Sequence, residues 1–275
     1  MKHIRIWCLL LLPFAAHAQY YYKDLLSTGI VEQQFRLLKE QKIKKVVLQS
    51  FESDDRETDR FLCYQVVNTS HSTLMTHTQS AGTMPSVLTS QFSSEGTLQR
   101  TSDSSGTTVT VVLYGYANGK LTTLQSVSRA SNDSTQETDR HEWIYGSDGL
   151  PIRMLRIKNN VDTTEVLFKP DEQGRVAEET WKKKGVVLER YYYYYNDSRQ
   201  LTDIVRYSKK ARRLLPDNVF EYDTQGRISR MIGVQPGSSN YVTWAYVYNE
   251  NGLKQKEVLY NKQRQLMGTI RYRYE

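Results

Sequence analysis

Apolar and polar positions change rhythm once along this chain. Between Asp24 and Gln41 the apolar residues Leu25, Leu26, Ile30, Phe35, Leu37 and Leu38 fall at spacings nearer to helical than to alternating, which predicts a short amphipathic helix. Asp24 is suited to cap its start, and Gly29 weakens its middle. From Ile43 the pattern alternates, and strands are predicted over residues 45–51, 60–67, 73–78, 86–92 and 107–116. Polar stretches at 53–57 and 101–106 read as linkers between strands. No Pro/Gly-rich boundary interrupts the alternation, so one continuous domain is expected, its helix covering one end of the sheet.

The C-terminal half adds a recurring tract. It reads WIYGSDGLP at 143–151, FKPDEQGRV at 168–176, FEYDTQGRI at 220–228 and YVYNENGLK at 246–254. Each copy has an aromatic, any residue, usually a second aromatic, a turn-forming polar pair, a further polar residue and glycine. Gly149, Gly174, Gly226 and Gly252 lie on a lattice with a step of about 26 residues, Arg199 filling the slot between Gly174 and Gly226; a fixed period of that size signals a repeated supersecondary unit. An aromatic–x–aromatic pair places both rings on one face of a strand. Asp171, Asp223 or Asn249 then opens a turn by accepting a backbone hydrogen bond. The glycine supplies the positive φ that closes a type I turn with a bulge and sends the chain back antiparallel. Gly119, Gly149, Gly174, Gly226 and Gly252 are thus the predicted structural turn positions, and similar turns recur faintly at 91–99 and 114–121.

The fold class expected is all-β: a repetitive antiparallel β-hairpin meander or open twisted sheet, solenoid-like, with a short N-terminal helix. Residues 1–18 read as a signal peptide, 19–42 as a helical cap and 43–275 as the antiparallel β-repeat domain. Within that domain the repeats are clear over 143–275 and degenerate over 43–142.

The FEYDTQGRI copy resembles the YD repeat of the Rhs and teneurin families, whose pattern is a tyrosine–aspartate pair, a two-residue gap, glycine–arginine and an aliphatic. The likeness covers about half of the chain beyond the signal segment. Pro170 replaces the tyrosine in one copy and Gly146 the aspartate in another. Large members wind such repeats into a shell around a toxin or cargo. The resemblance implies an extracellular or envelope location and a non-catalytic scaffold able to adhere to glycans or proteins. This chain is too short for such a shell and ends on a repeat strand, so toxin delivery is not expected.

Residues 1–18 combine basic Lys2 and Arg5, an apolar run and Ala16-His17-Ala18 before Gln19, the signature of a secretory signal cleaved near Ala18–Gln19. Periplasmic or extracellular export is expected, with no transmembrane segment in the mature chain. Cys63 is then the sole cysteine, so no internal disulfide is available, and it reads as a small buried hydrophobe. The formal net charge is +7. Residues 19–110 carry 9 Lys/Arg against 10 Asp/Glu, while 111–275 carry 26 against 20. The excess gathers in clusters such as Lys182-Lys183-Lys184 and Lys209-Lys210-Ala211-Arg212-Arg213. Such clusters attract anionic polymers or are simply the solvated, edge-blunting residues of β-turns.

The run Tyr191, Tyr192, Tyr193, Tyr194 and Tyr195 presents alternate rings to the two faces of a strand. Those rings either hold cross-strand aromatic ladders together or, with Lys182, Lys183 and Lys184, form a stacking platform for sugars. Among His71, His77 and His141 no pair has metal-binding spacing, and the HExxH, GxSxG, CxxC and Walker patterns are absent. Neither an enzyme nor a cofactor is expected, and nucleic acid is not an expected partner. Two functions follow. One is an exported non-enzymatic repeat scaffold presenting a binding surface to a protein or glycan of the cell envelope. The other is a carbohydrate or anionic-polymer binding module built on exposed tyrosines and basic clusters.

Overall fold

The computed structural model describes residues 19–131, 135–208, 212–234 and 240–275. The expected signal segment 1–18 and, in the second basic cluster, Lys209, Lys210 and Ala211 lie outside the described residues. A helical segment comes first: a widely wound stretch at Tyr21–Leu26 runs on into α1 (Ser27–Glu40). Strands follow for the rest of the chain. The first six are β1 (Lys45–Glu52), β2 (Leu62–Asn68), β3 (Thr73–Gln79), β4 (Ser86–Phe92), β5 (Leu98–Ser105) and β6 (Thr108–Ala117). Next come β7 (Lys120–Ala130), β8 (Gln136–Tyr145), β9 (Pro151–Lys158), β10 (Asp162–Pro170), β11 (Val176–Lys183) and β12 (Val186–Tyr195). The last six are β13 (Leu201–Ser208), β14 (Arg213–Tyr222), β15 (Ile228–Val234), β16 (Tyr241–Tyr248), β17 (Lys254–Tyr260) and β18 (Leu266–Tyr274).

Every strand pairs antiparallel with the strands before and after it, and β18 pairs back onto β1. That last ladder runs from Val46↔Tyr274 to Glu52↔Gly268. It continues past the strand ends, where the amides of Lys44 and Lys45 donate to the Glu275 carbonyl at 2.7 and 3.0 Å. The sheet is therefore a closed 18-strand up-and-down barrel. This overturns the expected open, solenoid-like sheet. The periodic tract specifies hairpins, and hairpins add equally well to an open sheet or a ring; only the match between the first and last strands decides, and closure removes both exposed edges.

Two local expectations also give way. The polar stretch 101–106 is not a linker: residues up to Ser105 belong to β5, paired on both sides by β4 and β6. Ladder hydrogen bonds on two sides outweigh a weak intrinsic strand preference. The helix does not cover one end of the sheet. Tyr20, Tyr21 and Tyr22 pack against Trp181, Phe168, Tyr193 and Phe220 of β11, β10, β12 and β14. Phe35 and Leu38 of α1 pack in a second cluster with Val46, Leu48, Cys63, Leu74, Phe92 and Ile270. An element touching strands all round a closed sheet lies inside it, so the helix occupies the lumen.

The recurring tract builds one rim. Turns after the even strands open on the same rim, and the ladder shifts register just before them, at Ile144/Tyr145, Lys169/Pro170, Tyr194/Tyr195, Glu221/Tyr222 and Val247/Tyr248. In the Asp223 turn the Gly226 amide donates to the Asp223 carbonyl at 3.0 Å, with Gly226 at φ 77°. Arg199 adopts the same left-handed conformation, φ 63°, in the copy that lacks glycine. A tyrosine at the end of five of the even strands latches this rim. Tyr145, Tyr195, Tyr222, Tyr248 and Tyr274 donate their hydroxyls to the carbonyls of Leu121, Val176, Leu201, Ile228 and Lys254 at 2.6–2.8 Å. Each acceptor sits at the start of the neighbouring strand, so a latch ties one repeat to the next.

Replacing Tyr222 or Tyr248 by Phe should lower unfolding free energy by about 1 kcal/mol each, the net worth of a hydrogen bond. Gly226→Val should cost more, about 1–3 kcal/mol, because a β-branched residue is held at positive φ. Denaturant melts of the three variants measure both, and Tyr→Phe variants as stable as the native protein would contradict the latch assignment.

Candidate functional site

The lumen at mid-height holds a cluster of charged and aromatic side chains, and strand parity explains how they meet. On β8, Asp139, His141 and Trp143 alternate inward; on β11, Glu179 and Trp181 do so; on β12, Tyr191 and Tyr193. The helical segment brings Gln19, Tyr20, Tyr21 and Asp24 against them.

Glu179 is the centre of the cluster and is fully buried. Its carboxylate accepts from the backbone amides of Tyr20 and Tyr21 at 2.9 and 3.0 Å, from Trp181 Nε1 at 2.5 Å and from the Tyr193 hydroxyl at 2.6 Å. Burial pushes its pKa up, and these four donors pull it back. Amides at the start of a helix lack intrahelical acceptors, so one carboxylate both satisfies them and fixes where the helix begins.

Asp24 does not cap the helix. Its carboxylate accepts from His141 Nδ1 at 2.6 Å and Trp143 Nε1 at 3.2 Å. His141 Nε2 lies 3.5 Å from Asp139, which forms an ion pair with Arg156 at 2.5 Å. Burial works to lower the His141 pKa, but the flanking Asp24 and Asp139 carboxylates outweigh it and raise it to about 9. Burial works to raise the Asp139 pKa, and its bonds to His141 and Arg156 hold it well below the usual carboxylate range. Across the cluster, Gln19 Nε2 donates to Asp217 at 3.1 Å, and Asp217 pairs with Arg206 at 3.3 Å. In this chain of acid and base groups, Glu179 and Asp24 join the helix to the wall, while Asp139–Arg156 and Glu179–Trp181 tie neighbouring wall residues together.

The tyrosine run is split by the barrel wall. Tyr191 and Tyr193 face the lumen and are buried, while Tyr194 is 48% exposed on the outside and Tyr192 is half-buried beside it. Tyr195 latches the rim under the Arg175 guanidinium, 4.5 Å from its ring. A shallow recess of about 340 Å³ lies here, lined by Asp171, Arg175, Ala177 and residues 192–195. Lys182, Lys183 and Lys184 are not brought to this recess. Lys183 pairs with Asp162 at 2.7 Å and Lys184 sits in the turn before β12. Eight residues separate Val186 from Tyr194, about 26 Å along a strand, so tyrosines and lysines occupy opposite ends. Gly119, Gly149, Gly174, Gly226 and Gly252 all sit in turns at positive φ.

The sequence reading assigned Asp24 a capping role and His141 only a place outside any metal-binding spacing, and it left Asp139, Arg156 and Glu179 unmarked. One signal was present: each of the strand residues shares parity with a neighbouring aromatic or apolar residue that marks the buried face. A titratable group on such a face is seldom left there unpaired.

No family model matches the chain, and no curated protein matches it. Among solved structures, a porin-like protein from Bacteroides uniformis ATCC 8492 aligns with TM-score 0.40 at 11% identity, over 85% of this chain and 98% of that one. A porin-like protein from Bacteroides vulgatus ATCC 8482 aligns with TM-score 0.33 at 11% identity over the same shares. The Photorhabdus luminescens Tc holotoxin pore aligns with TM-score 0.36 at 10% identity, over 78% of this chain and 15% of that one. Likenesses this weak carry no function over to this chain. The YD-repeat resemblance is corrected by the closed barrel and the lack of any family match. Its residues encode a bulged Asx–glycine hairpin turn with a tyrosine latch, and that local chemistry serves a barrel rim as well as an open repeat.

The His141 pair gives the protein a pH dependence. A histidine whose folded pKa of about 9 exceeds its ordinary 6.5 contributes stability that is complete below 6.5 and lost as pH rises through about 9. Stability should therefore fall across that window by up to about 3 kcal/mol, at about 1.4 kcal/mol per pKa unit. Melts of the native protein and His141→Gln at both ends of the window read this, the variant losing the slope. Glu179→Gln, which confronts four donors with an amide, should cost about 2–4 kcal/mol at neutral pH.

Proposed function

We propose that this chain is an exported, non-enzymatic barrel that works in water by binding a partner of the cell envelope, and that it passes no solute across a bilayer. The observation carrying this reading is the sense of its polarity. Barrels that span membranes turn an apolar band about 25 Å tall outward and keep a polar interior. Here the interior packs Trp143, Met154, Val166, Phe168, Tyr193 and Phe220 around a helix, beside the charged cluster of Asp24, Asp139, His141, Arg156 and Glu179. The outer face carries ion pairs at mid-strand: Arg153–Glu165 at 2.8 Å, Arg190–Glu178 at 3.3 Å and Arg230–Glu221 at 3.2 Å. Exposed Leu113, Ile144 and Val247 lie across their ladders from Arg100, Arg153 and Lys256. No helix among the described residues is long and apolar enough to cross a membrane. The secretory signature of residues 1–18 supports export. On the outer face, Tyr192 and Tyr194 beside Arg190 form the proposed contact with the partner, an aromatic pair rimmed by charge.

The protein purified from the periplasm or medium should remain monodisperse without detergent, stay unbound when floated with liposomes, and give no conductance in planar bilayers. Recovery only in detergent, together with discrete conductance steps, would sink this reading.

A further inference from the structure

One strip of the outer wall, on β12, β13 and β14, joins the tyrosine end of the barrel to its cationic end. Ladder register places its members. Tyr192 pairs with Val205, and Val205 pairs with Pro216. Two residues further along the same ladder, Tyr207 pairs with Leu214. Arg206, between Val205 and Tyr207, pairs with the lumen-facing Tyr191. Strand parity therefore turns Val205, Tyr207, Leu214 and Pro216 outward beside Tyr192 and Tyr194. Tyr194, Tyr207 and Leu214 are 48%, 47% and 43% exposed, and Pro216 is exposed with them.

The rest of the outer wall is arranged differently. Leu113, Ile144 and Val247 each lie across a ladder from a basic residue, whereas in the strip apolar and aromatic residues lie across from one another. A continuous apolar surface facing water marks an interaction site. Tyrosines at its centre and arginines at its border match the make-up of protein interfaces.

Charge narrows the occupant. Lys184, Arg190, Arg212 and Arg213 are exposed along the border, against Glu178 and Asp203. Glu178 is already shared by Arg190 at 3.3 Å and Lys169 at 3.8 Å. Glu189 pairs with the inward Trp181 and so faces the lumen. The positive excess repels a second copy of this chain, whose formal net charge is +7, and attracts an acidic partner. An acidic polysaccharide offers ring faces and hydroxyls. It has no hydrocarbon side chains to cover Val205, Leu214 and Pro216.

We infer that the strip binds a protein partner through an acidic polypeptide segment whose apolar side chains cover its centre and whose carboxylates meet its cationic border. The inference rests on the reading of an outer wall that works in water, and it extends the Tyr192–Tyr194 contact to a defined partner chemistry.

The test titrates exported protein into a fluorescently labelled synthetic peptide in which Glu alternates with Leu and Tyr, read by anisotropy. Three further probes are a Lys-for-Glu peptide, a Glu–Ser peptide and polygalacturonate. The first peptide should bind at least about tenfold more tightly than the others. Its affinity should fall as salt rises, since exposed charges are screened beyond about 8 Å at physiological ionic strength. Tyr207→Ser and Leu214→Ser should each weaken it about tenfold with unchanged melting temperature, because both side chains face water. Lys184→Gln with Arg213→Gln should weaken it and flatten the salt dependence. Leu113→Ser, on another part of the wall, should bind as the native protein does. The inference is overturned if polygalacturonate or the Glu–Ser peptide binds as well as the first peptide, or if the first peptide does not bind. It is equally overturned if Leu113→Ser costs as much as the strip variants, or if those variants abolish self-association and leave peptide binding intact. None of these results alters the bilayer and flotation experiments, so the two readings fail separately.

Discussion

Closing eighteen strands into one ring obliges the chain to fill a space that no ordinary set of strand side chains can fill. Everything else in the structure answers to that constraint. The N-terminal helix supplies a second layer inside the barrel, and the inward positions facing it are large: Trp143, Phe168, Trp181, Tyr193 and Phe220. At the other end of the helix Phe35 stacks on Phe92 with centroids 3.9 Å apart. A two-layer rule for domains is thereby met by a sheet curled around a helix.

The helix is positioned by polar groups more than by packing. Apolar contacts tolerate a slide or a rotation, whereas the four-donor carboxylate of Glu179 and the Asp24–His141 contact tolerate neither. Removing one partner from such a buried set leaves a charge without compensation. This explains why a protein with so aromatic an interior retains acids and bases at its centre. The latched rim solves a different problem: each repeat is bound to the next by a tyrosine hydroxyl at a point where ladder hydrogen bonds have just been interrupted by a bulge.

These two devices leave an uneven molecule. One rim is closed by bulged turns, latches and the C-terminal end of α1. Near the start of the helix the inner wall carries the Arg156–Asp139 and Arg206–Asp217 pairs, and the outer wall carries ion pairs that contribute little stability singly. Such a barrel offers a patterned exterior, the surface on which partner binding is proposed.

The sequence by itself determined the hairpins. Alternation marked most strands, and the aromatic–x–aromatic–Asx–x–x–Gly tract marked the bulged turns on one rim, because turn geometry depends on a few consecutive residues. It also marked an amphipathic helix near residues 24–41. Closure was not legible, because it depends on the pairing of Val46 with Tyr274 and their neighbours, residues more than two hundred positions apart with no local sign of each other. Nor was the place of the helix, since an amphipathic stripe fits the outside or the inside of a sheet equally. The polar strand β5 was hidden by its own composition and exists because both neighbours demand it. The central cluster was decided by tertiary structure alone. Asp24 reads locally as a cap, and only the folded barrel, bringing His141 and Trp143 to it, turns it into an anchor.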